Sequence, residues 1–274
     1  KPEIAIEEID RVIAAGVRFG CVLADAGYGL SASFRQALTA RGLCWAVGIP
    51  KHQKVYPADV QLIFPEAARG RPRLRHVPDV KSLAAQAMLE GAKWRQVSRR
   101  RGTKGRLVAR FAAVRVRIAD GAPQRIGSSG AQHMPGEEAW LVGEHRSNGE
   151  RKYYLSNLPA DTPIKDLAGA IKARWICEQA HQQLKEELGL DHFEGRSWTG
   201  LHRHALMTLM AYVFLQTRRL AQAGRKKTLL GPPPQPSLPA VRQAIIDRLS
   251  RPPPTCCPHC GANLSQEEIT FLPK

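Results

Sequence analysis

The stretch Phe19-Gly-Cys-Val-Leu-Ala-Asp25-Ala-Gly-Tyr-Gly29, with its continuation to Gly48, decides the fold class. Phe19 to Ala24 is a short apolar run of the kind that forms a buried strand, and Ala26-Gly-Tyr-Gly29 breaks it. Asp25 is thereby placed at a strand's carboxyl end. Ser31 or Ser33 can cap a helix running to about Ala40, and Gly42 leads into a second apolar run, Leu43 to Gly48. Upstream, Ile4, Ile6, Ile9, Val12 and Ile13 recur at helical spacing until Gly16 stops them. The order is helix, strand, helix, strand. A strand-helix-strand crossover implies a parallel pair, and with it a mixed α/β core.

After Pro50 this regularity dissolves into a Pro- and Arg-rich stretch to Arg75, followed by a helix expected from Ser82 to Met88. Leu107 to Ile118 alternates apolar and basic residues as one strand, and Trp140 to Glu144 and Lys152 to Ser156 flank the turn-like Ser147-Asn-Gly149 as two more. Pro163 should open one long helix to about Leu188, closed by Gly189, and a second runs from about Thr199 to Gln222. The tail is punctuated by two Pro-Pro-Pro runs around a short helix, Ala240 to Leu249. The expected organisation is a core half at 1–50, a β-rich basic insertion at 51–158, the second core half at 159–222, and a Pro-rich tail at 223–274.

Composition narrows the function. The 41 Lys and Arg residues against 24 Asp and Glu leave a net charge of +17, which points to a polyanionic partner, DNA above all. At 43% hydrophobic residues the chain can bury a core, which excludes a wholly disordered chain. The longest apolar stretch, Ala205 to Leu215, is too short to span a bilayer, and no secretory apolar segment opens the chain. A cytoplasmic, nucleoid-associated protein with no membrane partner is the expectation. Cys21, Cys44 and Cys177 lie in apolar surroundings and read as small hydrophobes.

The chemistry-bearing segment is Arg174-Trp-Ile-Cys-Glu178-Gln-Ala-His-Gln-Gln-Leu-Lys185. At about 100° per residue, Glu178 and Lys185 lie roughly 40° and 20° around a helix from Arg174, so the three share one stripe. Ala173, Cys177, Ala180, Leu184 and Leu188 form a separate apolar stripe, which puts the charged one at the core's margin. A carboxylate there can hold a divalent ion while flanking cations grip phosphates. The same spacing also suits an ordinary solvated face with an i,i+4 pair.

Arginine, three residues, glutamate, six residues, lysine resembles the signature around the last acidic residue of bacterial insertion-sequence transposases of the DDE, RNase H-like superfamily, in the Tyr-Arg-Glu-Lys branch. Leu188-Gly-Leu-Asp-His-Phe-Glu-Gly-Arg-Ser-Trp198 with His202-Arg-His204 is similar to the same branch. So is Ala24-Asp25-Ala26-Gly27-Tyr28-Gly29, where the family carries its second catalytic aspartate. The likeness runs from about Gly20 to Arg219, with further similarity in Trp94 to Phe111 and Gly143 to Pro159. The family's tyrosine, three residues before the arginine, is replaced by Ile171. Its first aspartate lies on a strand ahead of the first sheet helix, and Asp10, inside that helix, sits in the wrong element to replace it.

The resemblance implies an RNase H-like mixed sheet with flanking helices, interrupted by the β-rich insertion and with the N-terminal strands missing. It implies catalysis by Asp25 and Glu178 as ligands of Mg²⁺ or Mn²⁺, with Arg174 and Lys185 on the DNA backbone. The activity would be phosphodiester cleavage and strand transfer at transposon terminal inverted repeats and target DNA, with a homodimer on DNA. This chain is expected to be an incomplete, inactive fragment, with Asp25 near Glu178 across an incomplete sheet that has one exposed edge. Two alternatives are a non-catalytic DNA-binding remnant and a stand-alone RNase H-like nuclease or resolvase.

Two further patches complete the reading. Lys93, Trp94, Arg95, Arg99, Arg100, Arg101, Lys104, Arg106, Arg110, Arg115 and Arg117 form a cationic run with no acid between, suited to clamping DNA. Cys257-Pro-His-Cys260 resembles half of a zinc knuckle, so Zn²⁺ in the tail is a secondary expectation. A tetrahedral site would need His259 or a partner chain to complete it.

Overall fold

A computed structural model describes residues 1–64, 75–102, 105–125, 131–222 and 236–250. Among them the first 178 residues form one compact unit, and the chain from Gln179 onward forms another.

The first unit is a mixed α/β structure. Its N-terminal part runs α1 (Pro2–Ala14), β1 (Val22–Ala24), α2 (Ala26–Gly29), α3 (Ala32–Ala40) and β2 (Trp45–Ile49). The strand expected from Phe19 is shorter, three residues ending immediately before Asp25. Ser31 is the cap of α3, accepting from the Phe34 amide at 3.3 Å. β1 and β2 pair in parallel, Leu23 opposite Ala46, as the crossover requires.

The chain continues through β3 (Lys54–Pro57), β4 (Leu62–Ile63), β5 (Val77–Pro78), β6 (Leu83–Ala84), α4 (Ala85–Met88), β7 (Arg95–Gly102) and β8 (Gly105–Ile118). β9 (Pro123–Arg125), β10 (Ala131–His133), β11 (Glu138–His145) and β12 (Arg151–Ser156) follow. The helix expected over Ser82 to Met88 is a single turn, because Leu83 and Ala84 are drawn into pairing with β3. β12 pairs antiparallel with β2, so the later strands join the sheet of β1 and β2. The sheet order is β1, β2, β12, β11, β8, β3, β6, with β7 alongside β8. β1 is one edge.

Every residue of β2 is buried, the signature of a strand covered on both faces. Trp45, Val47 and Ile49 belong to a core with Phe34 and Leu38 of α3 and with Ile6 and Ile9 of α1. Ala46 belongs to a core with Phe111, Val142 and Leu167, Ala168 and Ile171 of α5 (Ile164–Ala173). Helices therefore flank the sheet on both faces. Asp10 is bound on α1 by Arg41, whose guanidinium donates to both carboxylate oxygens at 2.7 and 2.8 Å. Its role is to tie helix to helix.

The single helix expected from Pro163 to Leu188 is two, α5 and α6 (Trp175–Leu188), meeting at Arg174. The reason is burial: α5 follows the sheet as far as Ile171, whereas Ile176 and Cys177 are exposed and have no sheet to follow. Cys177 is thus not the buried hydrophobe its neighbours suggested.

In the second unit, α7 (Trp198–Gln222) and α8 (Leu238–Leu249) pack through Leu215, Leu238 and Val241, with Leu188 beside them. Gly189 takes a left-handed backbone, φ 65°, and α6 closes as the Gly189 amide donates to the Lys185 carbonyl and the Leu190 amide to the Leu184 carbonyl. His204 donates to the Gly189 carbonyl at 2.9 Å, which explains its place as a structural residue. No described helix is long and apolar enough to cross a membrane.

Candidate active site

A cavity of about 1000 Å³ opens on the first unit where the carboxyl ends of β1 and β2 meet the β11–β12 hairpin and the α5–α6 joint. Asp25 and Glu178 both line it.

Asp25 is placed by local chemistry. Its Oδ1 accepts from the Gly27 amide at 2.9 Å and the Tyr28 amide at 3.3 Å, capping the short α2. That turn lies directly on β2. A methyl group added to Gly48 would come within 3.0 Å of the Ala26 nitrogen, and one added to Gly29 would overlap the Gly48 carbonyl. Glycine at both positions lets backbone meet backbone, and so fixes where Asp25 stands.

Glu178 comes from the first turn of α6, where the helix dipole favours a carboxylate. Arg174 pairs with it at 2.5 Å. Both side chains are about half exposed, so this pair contributes little to stability.

The remaining polar wall is cationic. Lys51, Arg146, Arg151, Lys152, Lys172 and Arg174 line the same cavity, and Glu144 lies among them, fully buried. Burial pushes the Glu144 carboxyl up, but the Lys172 ammonium, the Tyr154 hydroxyl and the Arg146 guanidinium outweigh it and hold it below its ordinary value. Burial, with the Glu144 carboxylate beside it, pushes the Tyr154 phenol up. Tyr154 therefore stays protonated and donates to Glu144 at 2.9 Å.

Apart from Arg174, these residues were not singled out by sequence. Lys51, Arg146, Arg151 and Lys152 are scattered singly, and only the pairing of β12 with β2 and β11 gathers them. A signal did exist for Glu144. Strand alternation puts it in phase with Trp140 and Val142, on the face α5 covers, where an acid needs a partner.

None of the described side chains of the predicted cationic clamp lines this cavity, although Leu107, Val108 and Ala109 of β8 do. Arg115 pairs with Glu138 at 2.7 Å and lies over the Trp140 ring, 5.1 Å from its centroid. Arg117 donates to the Gly136 and Pro135 carbonyls and lines a separate pocket of about 610 Å³ with Gln36 and Glu137. Trp94 is half-buried, packed into the core and edge-on to His145. Lys104, the side chains of Arg99, Arg100, Arg101 and Arg106, and the tail cysteines Cys257 and Cys260 lie outside the described residues. Lys185 is exposed in the second unit.

The donor set facing the cavity is hard oxygen, which suits Mg²⁺ or Mn²⁺. Asp25 uses one carboxylate oxygen for its cap, and no described hydrogen bond uses the other. No group of three or more His, Cys, Asp or Glu side chains is gathered at one point among the described residues. Asp25 and Glu178 are two carboxylates that line the cavity.

Residues 1–106 match the family model described as DDE superfamily endonuclease. The match takes in Asp25 and the α1-to-β2 unit, and it supports a DDE transposase-like relationship and a nuclease type of function. No curated protein matches the chain.

Proposed function

We propose that this chain carries part of the catalytic domain of an insertion-sequence DNA transposase, of the branch with the Tyr-Arg-Glu-Lys signature. In this reading β1 and β2 belong to an RNase H-like sheet, residues 51–158 are the insertion that extends it, and 159–222 return to the catalytic domain. The observation that carries it is the convergence of Asp25 and Glu178, far apart in sequence, on one cation-walled cavity.

Asp25 and Glu178 are the residues that would hold a divalent ion, and when bound that ion polarises a phosphodiester and lowers the pKa of the attacking water or 3′-hydroxyl. Arg174 would exchange its contact with Glu178 for a backbone phosphate, as a bidentate fork. Lys51, Arg151 and Lys152 extend the grip on phosphates, an interaction that positions DNA without reading its sequence. Lys185 would serve as a point charge on a DNA phosphate. DNA is the substrate class, and terminal inverted repeats and a dimeric complex follow from the transposase reading.

The test is nicking of supercoiled DNA in Mg²⁺ or Mn²⁺ by the chain and by Glu178→Ala, with chelator controls. Nicking lost in the variant supports the reading; nicking that survives it removes Glu178 from the site. A second reading, a DNA-binding remnant without chemistry, is favoured by the absence of a three-ligand group among the described residues. It predicts salt-sensitive DNA binding and no nicking by either protein.

A further inference from the structure

Glu144 offers more than charge balance. Its carboxylate is 0% exposed, and it accepts from the Lys172 ammonium at 2.8 and 3.0 Å, from the Tyr154 hydroxyl at 2.9 Å, and stands 3.4 Å from the Arg146 guanidinium. A buried ion pair is a poor source of stability, because desolvation opposes the attraction and an apolar pair of similar volume would hold the helix as well. What such a pair supplies is one defined register.

Its location gives that register a purpose. Lys172 is in the last turn of α5, Arg174 closes that helix, and Trp175 opens α6 with Glu178 in its first turn. Ile171, just before Lys172, is the last α5 residue buried against the sheet. The ion pair therefore fastens the chain immediately before the joint from which Glu178 projects. In a cavity of several cations and two exposed carboxylates, unanchored cations would fall onto the carboxylates. Glu144 engages Lys172 and Arg146, and Arg174 pairs with Glu178.

The geometry points to Glu144 as a positioning residue of the cleft: by anchoring Lys172 it fixes the α5–α6 joint from which Glu178 reaches the cavity. This rests on the proposed function only where it concerns metal. The fixing of the joint stands apart from it.

The experiment compares the full chain with Glu144→Gln, Lys172→Arg and the double variant Glu144→Gln/Lys172→Met, which leaves no ammonium facing a neutral partner. Hydrogen–deuterium exchange over residues 171–178 and thermal melting are read first, since neither requires activity. Mn²⁺ titration, followed by the spin-resonance signal of the free ion, is read second. The double variant is expected to melt close to the parent chain, to exchange about tenfold faster over 171–178 with β2, β11 and β12 unchanged, and to bind Mn²⁺ about tenfold more weakly. Lys172→Arg, which keeps the charge pair, should leave both as in the parent chain. Unchanged exchange in the double variant overturns the proposal, and so does faster exchange with unchanged Mn²⁺ affinity. If the parent chain shows no Mn²⁺ binding that depends on Asp25, the proposed function fails, and exchange alone decides whether Glu144 fixes the joint.

Discussion

Gly29 lies against the carbonyl of Gly48 so closely that a methyl group on Gly29 would overlap that oxygen. This contact seats the Asp25 turn on β2. It ties the position of a candidate catalytic carboxylate to two residues that carry no functional group.

Gly29→Ala must push α2 off β2, since the obstacle is backbone and cannot rotate away. We expect a loss of about 1–3 kcal/mol, as for other overpacked sites, together with weaker Mn²⁺ binding. Gly169 is the contrasting case. It lies in α5 with nothing within 4 Å of an added methyl group. Gly169→Ala should therefore stabilise by about 0.5–1 kcal/mol, through lower unfolded-state entropy. Urea unfolding of both variants checks the pair; a destabilised Gly169→Ala would mean the helix face there is occupied.

Asp25 has two tasks, capping α2 and facing the cavity, and Asp25→Asn separates them. Asparagine caps as well as aspartate, so the melting temperature should hold. A divalent ion loses a charged ligand, so metal-dependent nicking should fall to background. Retained nicking with a retained fold would show that Asp25 is a cap and nothing more.

The Glu144 carboxyl is held below its ordinary value, near 4.5, with burial opposing and Lys172 prevailing. A depressed carboxyl stabilises the folded chain above its unfolded value, and that contribution is lost as pH falls through its folded value. The stability gap between the parent chain and Glu144→Gln should thus be full at neutral pH and close progressively below about pH 4.5. Melting curves from pH 7 down to pH 3 measure it. A gap that stays constant with pH would mean that Glu144 is not ionised in the folded chain.

The cavity cations predict a salt signature. Arg151 is exposed and lines the cavity, so Arg151→Ala should weaken DNA binding equally for all sequences. The slope of log affinity against log salt should drop by about one. Arg115, paired with Glu138, should change that slope much less when replaced by alanine. Fluorescence titrations at several salt concentrations compare the two; equal slopes would shift the DNA contact toward β8.

Much of this architecture was legible along the chain. Ser31 or Ser33 marked the start of α3, Gly189 the end of α6, and the apolar runs around Asp25 marked a parallel pair. All of these are decided within a few residues, by caps, by left-handed glycine and by side-chain periodicity. The joint at Arg174 was not legible, because Leu167 to Leu188 keeps a helical pattern throughout. Only the end of the sheet beneath Ile171 separates α5 from α6.

The placement of charge divides in the same way. That the chain is strongly cationic, and that carboxylates stand at a strand end and a helix start, is written in the sequence. Which cations face those carboxylates depended on pairing across long separations. β11 beside β8 brings Glu138 to Arg115, and so neutralises part of a run that looked uncompensated. β12 beside β2 carries Arg151 and Lys152 to the cavity, and α5 above β11 gives Glu144 its lysine. Local propensity acts over one turn or one pleat, whereas a Coulomb contact is set by distance in space, which only the closed sheet and its covering helices define.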